Sequence, residues 1–383
     1  MPVSHRLASY GTSIFTEMTR LANEKGAINL SQGFPDFDGP DFVRNAAIEA
    51  IRAGHNQYAR MSGIPQLNNA LAARWQRLTG QTIDPDTQVS VTNGCTEAIA
   101  ATCLGLINPG DEVIIFEPYY DSYKPCIEMS GGIPVVLTLA APMFSVNRDA
   151  FEAAITPRTR AILINTPHNP IGKVFSRDEL RFVAEMCIRH NLIAITDEVY
   201  EHLVFEGEHI RLATLPGMAE RTITLSSVGK TFSLTGWKIG WAIASPDLSK
   251  CVRSGRQFLS YSVATPLQHG AAAAVSAGPE YLDQFLRDYR QRRDLLCQAL
   301  EDIGFVVYRP TGTYFVLADH RPFGFKDDRA FCTHLIDKIG VAAIPPTPFY
   351  DNVEFGQPLV RFAFCKKLDT LNAAIERLQK LKT

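Results

Sequence analysis

Residues 192–200 read LIAITDEVY and residues 221–230 read RTITLSSVGK. Each opens as a short run carrying Ile and Leu. The first stops on Asp197, followed by Glu198-Val199-Tyr200; the second stops on Ser227, followed by Val228-Gly229-Lys230. Apolar runs of about four to eight residues are what strands buried on both faces of a sheet look like. The same texture recurs in QVSVT (88–92), EVIIF (112–116), IPVVLTL (133–139), RAILIN (160–165) and WAIAS (241–245). Helical stretches separate several of these runs. TEAIAATCLGLI ends at NPGD, and SRDELRFVAEMCIRH opens with Ser176 followed three residues on by Glu179, a capping box. The alternation predicts an α/β fold with a mostly parallel sheet of about seven strands.

Beyond residue 275 the texture changes. A long charged helix, PEYLDQFLRDYRQRRDLLCQALEDIG, leads into short strands, TYFVLAD and LVRFAF, and a last helix, LDTLNAAIERLQKL. That is a smaller α+β unit. The chain has 383 residues, and single cores stop growing at roughly 250 to 300 residues. The expected division is a large domain over 46–275 and a small one over 276–383. Residues 1–45, an arm and the extended piece INLSQGFPDF, are expected to join the small domain.

Composition excludes several classes. Lys+Arg is 38 and Asp+Glu is 40, a net charge of -2, so nothing draws the chain to nucleic acid or an anionic membrane. The eight cysteines are scattered without a CxxC pair, which argues against a zinc site or a redox dithiol and for a reducing compartment. No apolar stretch reaches the roughly 18 residues that span a bilayer. MPVSHRLASYGTSIF has no apolar centre of the kind a secretory signal carries. A cytoplasmic protein is expected.

Ligands of open parallel sheets sit outside the carboxyl ends of the strands. Small residues, Gly94-Cys95-Thr96, follow the first run and open a helix, whose N-terminal N–H groups suit a phosphate. Tyr119-Tyr120 follow the second run, Asn169 the fourth, Asp197 and Tyr200 the fifth, and Lys230 and Lys238 the sixth. Taken singly, each has a plain reading as a cap, a turn or a solvated charge. Their common placement at strand ends does not follow from those readings. Gly229-Lys230-Thr231 is not the end of a P-loop, because Thr224 stands where that motif needs glycine. No GxGxxG follows a first strand. Glu198 and His202, four apart, lack a third metal ligand, and His202 reads as structural.

Asn165-Thr166-Pro167-His168-Asn169-Pro170, Asp197-Glu198-Val199-Tyr200, Ser227-Val228-Gly229-Lys230 and Gly236-Trp237-Lys238 resemble the class I/II aminotransferases of pyridoxal-phosphate fold type I. The likeness extends to Asn29 through Phe37, Asn56-Gln57-Tyr58, Gly312-Thr313-Tyr314-Phe315 and Val360-Arg361-Phe362, so it spans nearly the whole chain. Within the class the chain is similar to bacterial methionine aminotransferases, and next to the kynurenine aminotransferase/glutamine transaminase K group.

The resemblance implies pyridoxal 5'-phosphate held by Lys230 as a Schiff base, with the freed amine moving the substrate Cα proton. Asp197 would keep the pyridine nitrogen protonated. Tyr200 and Asn169 would bond the ring hydroxyl, and Tyr120 would stack on the ring. Gly94, Cys95, Thr96, Ser227 and Lys238 would hold the phosphate. Lys238 stands where the family often has arginine; lysine keeps the charge but loses the fork. Arg361 would clamp the substrate α-carboxylate, although an arginine in a strand near the C-terminus also reads as a surface ion pair. Gly33 would approach the same carboxylate through its backbone. Tyr58 would reach the phosphate of a neighbouring subunit, which makes a homodimer with interfacial active sites.

Amino acid and 2-oxo acid would then exchange nitrogen by ping-pong kinetics. Phe15 either lines the side-chain pocket, with Ile14 and Tyr10 nearby, or packs beside Met18 on one helix face. An apolar, aromatic pocket suits Met, Phe, Tyr, Leu or kynurenine, and methionine is the first expectation among these donors. Arg60, Arg253 and Arg256 stay open as readers of a distal carboxylate. Two rival functions stand beside this: a cysteine-S-conjugate β-lyase on the same fold, and a cofactor-sensing regulatory module. The absence of a basic DNA-binding unit speaks against the second.

Overall fold

The computed structural model describes residues 4–382, so the first three residues of the expected arm lie outside the described part. Seven strands form one sheet in the order Val89–Asn93, Ile239–Ile243, Thr222–Ser227, Ile193–Asp197, Thr159–Asn165, Glu112–Glu117, Ile133–Thr138. Only Ile239–Ile243 runs antiparallel to its neighbours; the other ladders are parallel. The fold is that α/β arrangement, with the sheet buried on both sides.

Side chains of a strand alternate between faces, and here they fill separate cores, with Val89, Val91, Ile239, Trp241 and Ile243 in a third beside the two described next. Ile114, Phe116, Ile162 and Ile164 pack on one side with the aromatic-rich C-terminal elements. Val113, Ile115, Ala161, Leu163 and Ile195 pack on the other, against helix Gly94–Leu106 and helix Pro246–Gln257. That is why the runs are apolar at every position rather than at every second one. The capping box at Ser176 forms as expected: its hydroxyl accepts from Glu179 N at 3.2 Å, and Glu179 accepts from Ser176 N at 2.9 Å.

Two boundaries differ from the sequence reading. The strand expected over 241–245 lies at Ile239–Ile243. Lys238 takes φ 54°, and the chain enters the sheet at once. Gly240, which interrupts the apolar pattern, is inside the strand because a Cβ there would lie 2.6 Å from the Gly94 backbone. The C-terminal sheet also has a third strand, Val306–Tyr308, beside Phe315–Asp319 and Leu359–Ala363. It is short and half exposed, so it carries little pattern. Helix Ile14–Lys25 precedes Ile28–Asn29, which pairs in parallel with Val341–Ala342. Among the described residues no helix is long and apolar enough to cross a membrane.

Candidate active site

Parallel registry brings the strand ends level. Asp197 lies opposite Asn165 on one side and Leu225 on the other. The Asn165 side chain then braces this edge: its Nδ2 donates to Asp197 O at 2.8 Å and its Oδ1 accepts from Asn169 N at 2.7 Å. The pocket above is lined by Asp197, Tyr200, Asn169, Tyr120, Ser227 and Lys230 on the sheet side. Gly94, Cys95, Thr96 and Lys238 close one end, and Gly33, Phe15 and Arg361 the other. Of the residues that the resemblance assigned to the site, Tyr58 alone is not among those lining the pocket. It is 87% exposed and meets Tyr261 edge-on at 6.0 Å.

Asp197 is buried, and its carboxylate takes three donors. Tyr123 Oη gives to Oδ2 at 2.7 Å; Val199 N gives to Oδ1 at 3.3 Å; the Cys95 thiol lies 3.6 Å from Oδ1. Burial pushes this carboxyl above the usual carboxylate range, against those bonds and the charge of Lys230. Lys230 follows the strand Thr222–Ser227 in a short helix, Val228–Thr231. Its Nζ is 5.7 Å from the ring centre of Tyr200 and 5.8 Å from that of Tyr314. Burial pulls the amine below the ordinary lysine range, Cys365 and Asp197 oppose this, and Lys238 adds to it. A lysine held so is closer to a neutral nucleophile.

Helix Gly94–Leu106 points its N-terminus at the pocket. Gly94 has φ 73°, and a Cβ there would meet the Lys238 side chain at 3.1 Å. First-turn N–H groups, an ammonium and two hydroxyls therefore surround one spot, a donor set that fits a phosphate. At the other end Arg361 is 1% exposed. Its Nη1 donates to Asn169 Oδ1 at 3.0 Å and its Nη2 to Ser31 O at 2.8 Å, while Nε has no partner. Phe315 stacks 4.1 Å from its Cζ, and Phe15 and Phe349 lie at 5.2 and 5.6 Å. No carboxylate among the described residues pairs with it, so it is no surface ion pair. Burial brings it down to about 10. A buried cation with an unused N–H is a site for an anion.

Phe15 lines the pocket and lies tilted against Phe349, ring centres 5.7 Å apart, while Met18 goes to the core. Arg60, Arg253 and Arg256 lie elsewhere. Arg60 pairs with Asp86 at 2.8 Å, Arg253 bonds Ser90 at 3.0 Å, and Arg256 pairs with Glu97 at 3.4 Å. His202 faces Arg74 at 2.7 Å. It belongs to a buried network in which Glu201 meets Arg74 and Arg211, and Glu198 meets His209. This network backs the turn that carries Asp197 and Tyr200. Sequence reasoning missed Tyr123 and Asn165. Tyr123 is three residues from Tyr120, with the rings 5.6 Å apart, but its reach to Asp197 depends on how two strands are spaced.

Comparison with known proteins agrees with this architecture. The family profile "Aminotransferase class I and II" matches residues 25–378. The solved N-succinyldiaminopimelate aminotransferase of Mycobacterium tuberculosis is 48% identical, with a TM-score of 0.97 over 99% of this chain and 100% of that one. The methionine aminotransferase of Escherichia coli is 41% identical, with a TM-score of 0.95 over 99% of each chain. A kynurenine–oxoglutarate transaminase of Dictyostelium discoideum is 37% identical over 99% of this chain and 96% of its own. The chain belongs to the class I and II aminotransferases. It is a transaminase of pyridoxal-phosphate fold type I, and pyridoxal 5'-phosphate is its cofactor. The pocket fits that group: an amine for the aldehyde, a buried carboxylate for the ring nitrogen, and the glycine-edged cradle for the phosphate.

Proposed function

We propose that the amino donor is an apolar or aromatic amino acid, methionine first, and that a 2-oxo acid receives the nitrogen by a ping-pong route. The observation that carries this reading is the pocket wall around Arg361. Phe15, Phe34 and Phe315 line it, and among the described residues its only cations are Lys230, Lys238 and Arg361. Each of those three is assigned to the cofactor or to the α-carboxylate that every substrate shares, which leaves none for a distal carboxylate.

Bound pyridoxal phosphate supplies an aldehyde to carry nitrogen and a ring to take up the electron pair left at the substrate Cα. The residues do the rest. Lys230 would hold the cofactor, and its amine would move the proton at the substrate Cα; its lowered basicity supports that role. Asp197, its carboxylate oriented by Tyr123 and Cys95, would hold a proton at the ring nitrogen. Tyr200 and Asn169 would bond the ring hydroxyl, and Tyr120 would lie against the ring. Gly94, Cys95, Thr96, Ser227 and Lys238 take the phosphate. Arg361 and the Gly33 backbone take the α-carboxylate of donor and acceptor alike.

The working unit is a homodimer in this reading. Tyr58, Phe258, Leu259 and Tyr261 are 87, 86, 49 and 52% exposed, an aromatic face that water does not favour and a second copy would cover. Tyr58 would then serve the partner's phosphate. The domain limits 1–45 with 276–383 against 46–275, and a cytoplasmic setting, complete the proposal.

A second reading has support in the 48% identity to an N-succinyldiaminopimelate aminotransferase: a donor with a long acylated, acidic tail. Such a tail would need cations supplied from outside this pocket wall. Initial rates for all common amino acids, kynurenine and N-succinyldiaminopimelate, against several 2-oxo acids, decide between them. Methionine leading supports the first reading; methionine near the bottom overturns it and leaves the transaminase class intact.

A further inference from the structure

The segment Leu30–Phe34 is held by its carbonyls, one after another. Leu30 O accepts from Ala363 N at 2.8 Å, and Ser31 O from Arg361 Nη2 at 2.8 Å. The Cys365 thiol approaches Gln32 O at 3.9 Å. Gly33 O accepts from Tyr314 Oη at 2.6 Å, and Phe34 O from Lys366 Nζ at 2.7 Å. Four of the five donors come from strand Leu359–Ala363 and its continuation, and Tyr314 comes from the residue just before strand Phe315–Asp319. The same strand carries Arg361.

Lys366 is the unexpected member. It is 3% exposed, and a buried ammonium is costly unless well compensated. Its contacts are one carbonyl and the face of Phe34, 4.5 Å away. The nearby Asp36 carboxylate is taken up by Lys367 N and Thr370 Oγ1, both at 2.6 Å. An ammonium kept at such a place serves the main chain it holds. Position 33 also has no room for a side chain, since a Cβ there would lie 2.6 Å from the Phe315 ring.

We infer that Tyr314 and Lys366 are positioning residues for the α-carboxylate subsite: they anchor the Gly33–Phe34 main chain so that the Gly33 backbone and Arg361 face one anion together. This rests on the proposal that Arg361 and Gly33 take that carboxylate. Both residues act through Gly33 and touch no reacting atom through these bonds. Amino donor and oxo acid acceptor share the subsite, so both depend on the anchor.

The test uses the holoenzyme with Lys366→Met and Tyr314→Phe, and Arg361→Lys as the control. Kinetics are measured for methionine and a 2-oxo acid. Binding is also measured for the unreactive carboxylate that has methionine's skeleton without its amine. Losing a hydrogen bond from a charged group to a substrate-positioning carbonyl should raise KM for both substrates, and the inhibitor constant, about tenfold. In Lys366→Met, kcat and cofactor affinity should stay near the parent values. Unchanged KM in both anchor variants, with a raised KM in Arg361→Lys, overturns the inference and leaves the carboxylate reading standing. Unchanged KM in all three overturns both. If Lys366→Met loses cofactor and kcat together, Lys366 is merely structural and the inference fails. If that variant does not fold, Tyr314→Phe decides by the same constants.

Discussion

Tyr123 donates its hydroxyl hydrogen to Oδ2 of Asp197 at 2.7 Å, from a helix that begins at Tyr123 itself. The bond crosses from the strand Glu112–Glu117 side of the sheet to the end of Ile193–Asp197, with Thr159–Asn165 between them. It is the shortest of the three contacts that orient this carboxylate; Cys95 contributes the longest. In the proposed role, a carboxylate with its donors already in place would need no rearrangement to face a cationic ring nitrogen.

Removing that donor should be felt in the chemistry. Tyr123→Phe is expected to lower kcat/KM by about tenfold to a hundredfold, the range for a hydrogen bond to a charged group. The loss also lets burial push Asp197 higher, so the acid side of the pH–rate profile should move to higher pH. Steady-state profiles of parent and variant check both points. An unchanged profile removes Tyr123 from the account.

Gly240 sets how closely the antiparallel strand approaches the start of helix Gly94–Leu106, the proposed phosphate cradle. A Cβ there would lie 2.6 Å from Gly94 C and 2.8 Å from Cys95 N, both backbone atoms that cannot swing aside. Gly240→Ala should therefore weaken cofactor binding at least about tenfold and destabilise the fold by about 1 to 3 kcal/mol, as overpacking does. Equilibrium dialysis against pyridoxal phosphate and urea unfolding measure the two effects.

His168 is buried beside Lys173, and burial first, then that charge, lowers it from 6.5 to about 3. A group whose folded value is depressed contributes stability above its unfolded value and loses it as pH falls. The unfolded chain takes up the proton near 6.5 and the folded chain does not until about 3. Between pH 6.5 and 5 the difference amounts to about 2 kcal/mol. His168→Phe should therefore lose less stability than the parent on acidification across that interval, by about that amount. Urea midpoints at the two pH values give the answer; equal losses in both proteins refute it.

Much of this was legible in the sequence because strands in a doubly covered sheet announce themselves and the ligand edge follows from their carboxyl ends. Asp197, Asn169 and Lys230 could be placed at one edge before any coordinate was known. The run WAIAS begins one residue after Gly240, which has no side chain to carry the apolar pattern, so the strand's true start at Ile239 was not visible. Val306–Tyr308 was silent because three half-exposed residues make no pattern. Tyr123, Asn165 and Lys366 were out of reach for a different reason. Their partners lie 74, 32 and 332 residues away in the chain, and only the registry of the sheet and the packing of the C-terminal unit bring them together.

The central claim is a covalent one, that Lys230 carries the cofactor. Holoprotein is reduced with borohydride, digested, and its peptides read by mass spectrometry. The account predicts one pyridoxyl-phosphate adduct, on the peptide containing Lys230, and none in Lys230→Ala loaded the same way. A full complement of cofactor with the adduct on another lysine, or with no adduct at all, would contradict it.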